Sequence, residues 1–251
     1  MVVAAGLAFG LTGCQEESKD PISDLTAAAE KAANQNSCKA KGMNKDREGE
    51  SSFDLVYSEK PAAMDAKGTG PKTADNPTGE IRVVRTNGTL YFKVGQSVNG
   101  KTWAKIDGRN AKEAPRADSG DSAGLQAAVL ATSKDVRRFG EESVGGRKGT
   151  HYKGAVVISE LSAYKGDLLT EKQRDTYVQS FKFNKVKSLD IDVWVGKDGL
   201  PAKTRQSSKG SKGEATETME YLEYGLQVTV QAPPANEVAS MEEMFKDMKT
   251  E

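Results

Sequence analysis

The sequence predicts an α+β fold: a long meander of antiparallel strands, entered and left through helices, in one domain. Two observations predict it. After residue 37 apolar and polar residues alternate over most of the chain, the period of a half-buried strand. Between these runs stand Asn87-Gly88, Asn99-Gly100 and Asp198-Gly199, dipeptides suited to the backbone of tight hairpins. Helical spacing is confined to four short stretches, and there is no internal repeat.

The chain opens with an uncharged segment, Val2–Gly13 (VVAAGLAFGLTG). As a helix it spans about 18 Å, short of the roughly 30 Å bilayer core, so it fits the apolar region of a signal peptide. No Lys or Arg precedes Lys19, so the basic segment of such a peptide is expected upstream and the start is read as truncated. Leu11-Thr12-Gly13-Cys14 resembles the bacterial lipobox, in which small residues precede a cysteine that becomes the mature N-terminus. Its thiol takes a diacylglyceryl group, and two or three acyl chains, at about 0.8 kcal/mol per buried CH₂, hold far more firmly than one. The expected division is a signal peptide over 1–13, a lipidated Cys14 with a polar tether over 14–20, and one domain over 21–251. The alternatives are a secreted protein with a Cys14–Cys38 disulfide, or a buried apolar N-terminus.

The elements follow in order. Asp20-Pro21 caps a helix in which Ile22, Leu25, Ala29 and Ala32 recur at helical spacing to about Asn36. Alternation then points Cys38 and Ala40 inward. Strands follow at Phe53–Tyr57, Ile81–Val83, Leu90–Val94, Trp103–Asp107, Thr150–Ile158 and Asp190–Val195. Residues 59–78, rich in Pro, Gly, Lys and Asp, are expected as a long exposed loop. The run SKGSKG (208–213) joins strands at Ala202–Ser207 and Thr216–Tyr224, and Val228–Ala232 is a last strand before Pro233-Pro234. The further helices are Ser122–Thr132 with Leu125, Ala128 and Val129 on one side, a capping box at Thr170–Gln173, and Ser240 onward with Met241, Met244, Phe245 and Met248 in a stripe.

Composition removes several function classes. With 36 basic against 36 acidic residues the net charge is zero, and no basic stripe marks a nucleic-acid binder. A single histidine, His151, rules out multi-His metal sites. Two cysteines rule out a zinc ribbon or a disulfide framework. No cofactor and no metal is expected.

Candidate motifs have bland readings that the residues favour. Gly95–Thr102 spells G-x-x-x-x-G-K-T, but a phosphate loop must lead into a helix. Here Asn99-Gly100 is a hairpin dipeptide, and Thr102–Ile106 alternates as a strand. Asp190 and Asp192 share a strand face opposite Ile191, Val193 and Val195, and are expected to face solvent. His151 is expected as a partly exposed structural residue, since no nucleophile elbow accompanies it. Asp118–Asp121 lacks the calcium-loop spacing, Asn87-Gly88-Thr89 is a sequon that coincides with a turn, and Trp103, Trp194 and the Met stripe read as packing.

Several stretches look like the LolA-like lipoproteins of actinobacterial envelopes, the LppX/LprG type. They are Leu90–Val94 with Trp103–Asp107, Thr150–Gly154, Asp192–Val195 with Asp198–Pro201, and Met219–Gly225 with Val228–Pro233. The resemblance implies a strongly curved antiparallel half-barrel with helices over its concave face. It also implies a membrane-anchored carrier of a lipid or acylated molecule, with no catalytic set. Cys14 carries over as the lipid-attachment site. Phe53, Leu55, Ile81, Val83, Leu90, Phe92, Ile106, Val156, Ile158, Ile191 and Val193 are the candidate cavity-lining positions. The expected partners are the membrane, through the diacylglyceryl group on Cys14, and a lipid or acylated ligand. An envelope protein partner is the alternative, for an interaction or sensory module with a packed core. A monomer is expected, with no nucleic acid.

Overall fold

The alternating stretches pair into one open, curled sheet of twelve strands. The computed structural model describes residues 20–74, 76–107 and 123–248. Strands β1 (Ser37–Asp46), β2 (Gly49–Ser58), β3 (Ala63–Thr69), β4 (Glu80–Thr86), β5 (Thr89–Val98) and β6 (Lys101–Ile106) form one meander. The second runs through β7 (Arg137–Val144), β8 (Arg147–Val157), β9 (Ser188–Gly196), β10 (Pro201–Gly210) and β11 (Gly213–Tyr224). Antiparallel pairing of β1 with β11 joins the two, Cys38 opposite Tyr224 and Lys45 opposite Thr216. A short β12 (Val238–Ser240) adds to β6 in parallel and makes the sheet mixed.

Local chemistry sets the turns. Asn87 and Gly88 have φ of 51° and 76°, and Asn99 and Gly100 of 50° and 76°. Both central residues of each turn are thus left-handed, as a type I′ hairpin requires. The phosphate-loop string is the β5–β6 hairpin.

Four helices pack on the inner face of the second meander and its junction with the first. In α1 (Pro21–Ala33) the Asp20 carboxylate accepts from the Ile22 amide at 3.3 Å. The other three are α2 (Ala123–Ala131), the short α3 (Ile158–Ala163) and α4 (Glu171–Lys182). Thr170 and Gln173 close a capping box on α4. At the far edge α5 (Met241–Met248) packs on β12 and β6, capped by reciprocal bonds between Ser240 and Glu243.

The structure corrects five expectations. Residues 59–78 contain β3, whose inward Met64 and Ala66 are buried and whose other residues are too polar and small to announce a strand. Val228–Ala232 alternates but pairs with no strand; the segment is tied by side chains, Thr86 Oγ1 donating to Val230 O at 3.2 Å and Ser37 Oγ to Leu226 O at 2.6 Å. Ile158 opens α3 rather than ending β8, and its amide donates to Lys187 O at 2.9 Å. Helix α2 is buried on every side, not on one. His151 and Asp192 are buried, because each satisfies the other on the outer face of the sheet. Residues 1–19 and Asp118–Asp121 lie outside the described residues, as do the side chains of Phe245 and Met248.

Candidate ligand cavity

Strand register places one apolar row across the inner face. Ala40 stands opposite Leu55, Leu55 opposite Ala66, Ala66 opposite Val83, Val83 opposite Phe92 and Phe92 opposite Ala104. Partners directly across antiparallel strands share a face, so this row lies beside a second one through Tyr57, Met64, Arg85, Leu90 and Ile106, in which the Arg85 side chain interrupts the apolar surface.

The inner face has two unlike halves. On β8 and β9, Val156, Ile191 and Val193 are sealed, with Ile158 of α3, against Leu130 of α2 and Tyr177 and Val178 of α4. Ile191 and Val193 have 0% exposure. On β2 to β6, Leu55 and Leu90 are buried, whereas Phe53, Ile81, Val83, Phe92 and Ile106 are only half-buried. The described helices reach this half through the end of α1 (Ala32), the start of α2 (Ala123) and, at the far edge, α5, whose Met244 clusters with Ala104 of β6. The Phe53 ring lies over Gly42, where a Cβ would meet its Cζ at 2.1 Å. A ring on a glycine covers the bare backbone there.

A cavity of about 410 Å³ opens beside the sealed half, between α4 and the β1–β2 and β10–β11 turns. Its lining includes Gln126, Tyr177, Phe181, Asn184, Val186 and Gln206. Gln126 Nε2 donates to Gln206 Oε1 at 3.2 Å, and the Tyr177 hydroxyl bonds both amides. These polar groups escaped the sequence reading. The signal was present: Gln126 interrupts the apolar run AGLQAAVLA, and Gln206 lies two residues from the buried Thr204 on the same face of β10.

The outer face holds a polar cluster. His151 Nε2 lies 2.8 Å from Asp192 Oδ1, and Nδ1 lies 2.9 Å from Glu142 Oε1. Trp194 stacks on the imidazole at 4.3 Å and donates from Nε1 to Glu142 Oε2 at 2.8 Å. The indole and imidazole donors hold the Glu142 carboxyl below its usual value. Both ring nitrogens lie within hydrogen-bonding distance of carboxylates. The cluster braces edge strand β7 against β8 and β9. Cys38 is buried in the sheet, and desolvation pushes its thiol up to about 12, which leaves it protonated and inert. Among the described residues no helix is long and apolar enough to cross a membrane.

An open curled sheet whose inner face is partly roofed by helices is the LolA-like architecture. No family model matches the chain. Among solved structures it is similar to the lipoprotein LppX of Mycobacterium tuberculosis, at TM-score 0.55 and 12% identity over 84% of this chain and 98% of that one. LprF of Mycobacterium bovis gives the same TM-score and identity over 85% and 96%. In sequence it is similar to an uncharacterized 31.2 kDa protein of the rplA–rplJ intergenic region of Streptomyces griseus, 26% identical over 69% of this chain and 68% of the relative. A proposed lipoprotein of Streptomyces coelicolor is 27% identical over 47% of this chain and 32% of its own length. The chain thus has the fold shared by LppX and LprF and resembles actinobacterial lipoproteins of that type.

Proposed function

We propose that the protein is an extracytoplasmic lipoprotein, moored to the membrane by acyl chains on Cys14, that binds a lipid or acylated molecule on the open half of its inner face. One observation carries the reading: the half-buried apolar positions Phe53, Ile81, Val83, Phe92 and Ile106 lie on the half of the curled sheet that α1 to α4 reach only at their ends and α5 covers at its far edge. Concave apolar surface of this kind takes acyl chains, which have no polar group to satisfy. LppX bears the name lipoprotein, and the Streptomyces coelicolor relative is proposed as one, which agrees with Cys14 as an attachment site. Leu55 and Leu90 form the floor of that half. Val156, Ile158, Ile191 and Val193 belong to the supporting core.

Native mass spectrometry of the detergent-extracted protein tests both parts together. The expected spectrum carries a diacylglyceryl mass at Cys14 and a co-purified lipid. An unmodified chain that takes up no fluorescent fatty acid overturns the proposal. A second reading, an interaction module with a packed core, draws support from the sealed half of the face and from the Phe53 ring over Gly42. It predicts a lipidated chain with no saturable fatty-acid uptake.

A further inference from the structure

The segment after α4 and the β10–β11 turn together form one end of the molecule. Ser211 donates to Asn184 O twice, from its amide at 2.7 Å and its hydroxyl at 3.1 Å. Gly210 lies so close to that carbonyl that a Cβ would sit 2.3 Å from it. Buried Val186 pins the segment from beneath. On this fixed platform Phe183 is 81% exposed, the most exposed large apolar side chain among the described residues. Lys212 Nζ lies 5.7 Å from the centre of its ring, and the same two segments carry the exposed Lys182, Lys185, Lys187 and Lys209, of which the last three also line a neighbouring cavity with Asp190, Asp192 and Glu214. Residues 182–187 and 209–213 contain no acidic residue. The adjoining Glu214 is paired with Lys209 at 3.0 Å, and the neighbouring β1–β2 turn carries Asp46 and Glu48 beside Lys45 and Arg47.

We propose that this end docks on an anionic lipid surface, with Phe183 entering the headgroup boundary and the lysines pairing with lipid phosphates. An exposed aromatic beside lysines suits that interface: the ring leaves water, while flexible lysine stems keep each ammonium at headgroup level. Anionic leaflets attract such clusters by about fivefold per lysine. Phe181, Asn184, Val186 and Lys212 also line the 410 Å³ cavity, so docking sets its mouth against the lipid. The inference is independent of the proposed carriage and needs neither acylation of Cys14 nor a bound ligand.

The test uses the full-length chain with Cys14→Ser, so that no acyl anchor contributes, and Phe183→Trp as reporter. The native Trp103 and Trp194 are buried, so the substituted indole dominates any response to lipid. With phosphatidylcholine vesicles containing phosphatidylglycerol, its emission shifts to the blue and brominated lipids quench it. Lys182→Gln, Lys185→Gln and Lys212→Gln together raise the vesicle concentration for half-maximal quenching about a hundredfold. An indole that behaves identically with and without phosphatidylglycerol, or that ignores the three lysine substitutions, overturns the proposal.

Discussion

Val83 and Val193 show how much a single residue's role depends on what lies above it. Both are inward positions of alternating strands, and nothing in the local sequence separates them. Val193 is sealed under α2 and α4, while Val83 keeps part of its surface open. Val193→Trp therefore forces an indole into filled space, and overpacking costs about 1–3 kcal/mol or more; the expected result is a lower urea midpoint or no folded protein. Val83→Trp should leave the midpoint nearly unchanged and reduce fluorescent fatty-acid uptake. Equal loss of stability in both variants would mean the open half is packed as well. On the outer face Glu142 supplies the pH dependence. Its carboxyl is lowered from 4.5 by the Trp194 and His151 bonds, so the unfolded chain binds more protons below that value. The stability it contributes is present above about 4.5 and is lost as pH falls through the folded value. Glu142→Gln should lower the thermal midpoint at neutral pH and leave it unchanged in strong acid. The shift is small, because the side chain is half exposed and solvent screens it.

Elements were legible where chemistry is local and obscure where it is not. The Asn-Gly turns, the Asp20 and Thr170 caps and the Cys38–Ala40 alternation depend on neighbours in sequence, and each appears in the fold. Strand β7 (RRFGEESV) is a charged edge strand bent at Gly140, φ 108°, a pattern that hides it from any hydrophobic period. Val228–Ala232 fails in the opposite way: alternation reports a face, and pairing needs a partner that sequence does not specify. Helix α2 reads as a one-sided helix because its other contacts come from α1 and distant strands. Gly124 marks where α1 and α2 touch. A Cβ there would meet Ala29 O at 2.9 Å and the Ala32 Cβ at 3.3 Å. Gly124→Val should push the helices apart at a cost of about 1–3 kcal/mol in urea unfolding, and an unchanged midpoint would show that the pair is loosely held.

At the scale of the molecule, one sheet supports two environments. The half formed by β8 to β10 is a helix-covered core, and the half formed by β2 to β6 presents a largely apolar face, crossed by Arg85, that those helices reach only at their ends and α5 covers at its far edge. The sequence shows that a long apolar face exists, but not how far four helices of six to thirteen residues extend across it. That division predicts where binding is felt. Amides open locally with free energies that follow the contacts burying them, and a ligand adds RT ln(1 + [L]/Kd), about 2.7 kcal/mol at a hundredfold excess over Kd. In the free protein, backbone amides of residues 81–106 should exchange with deuterium faster than those of 189–206. Saturation with a long-chain fatty acid should slow exchange across 81–106 and leave 189–206 nearly as before, because the second set already lies beneath α2 and α4. Protection spread evenly over both halves would mean that the acyl chain enters between helices and sheet, and the open rows would then be a surface rather than a seat.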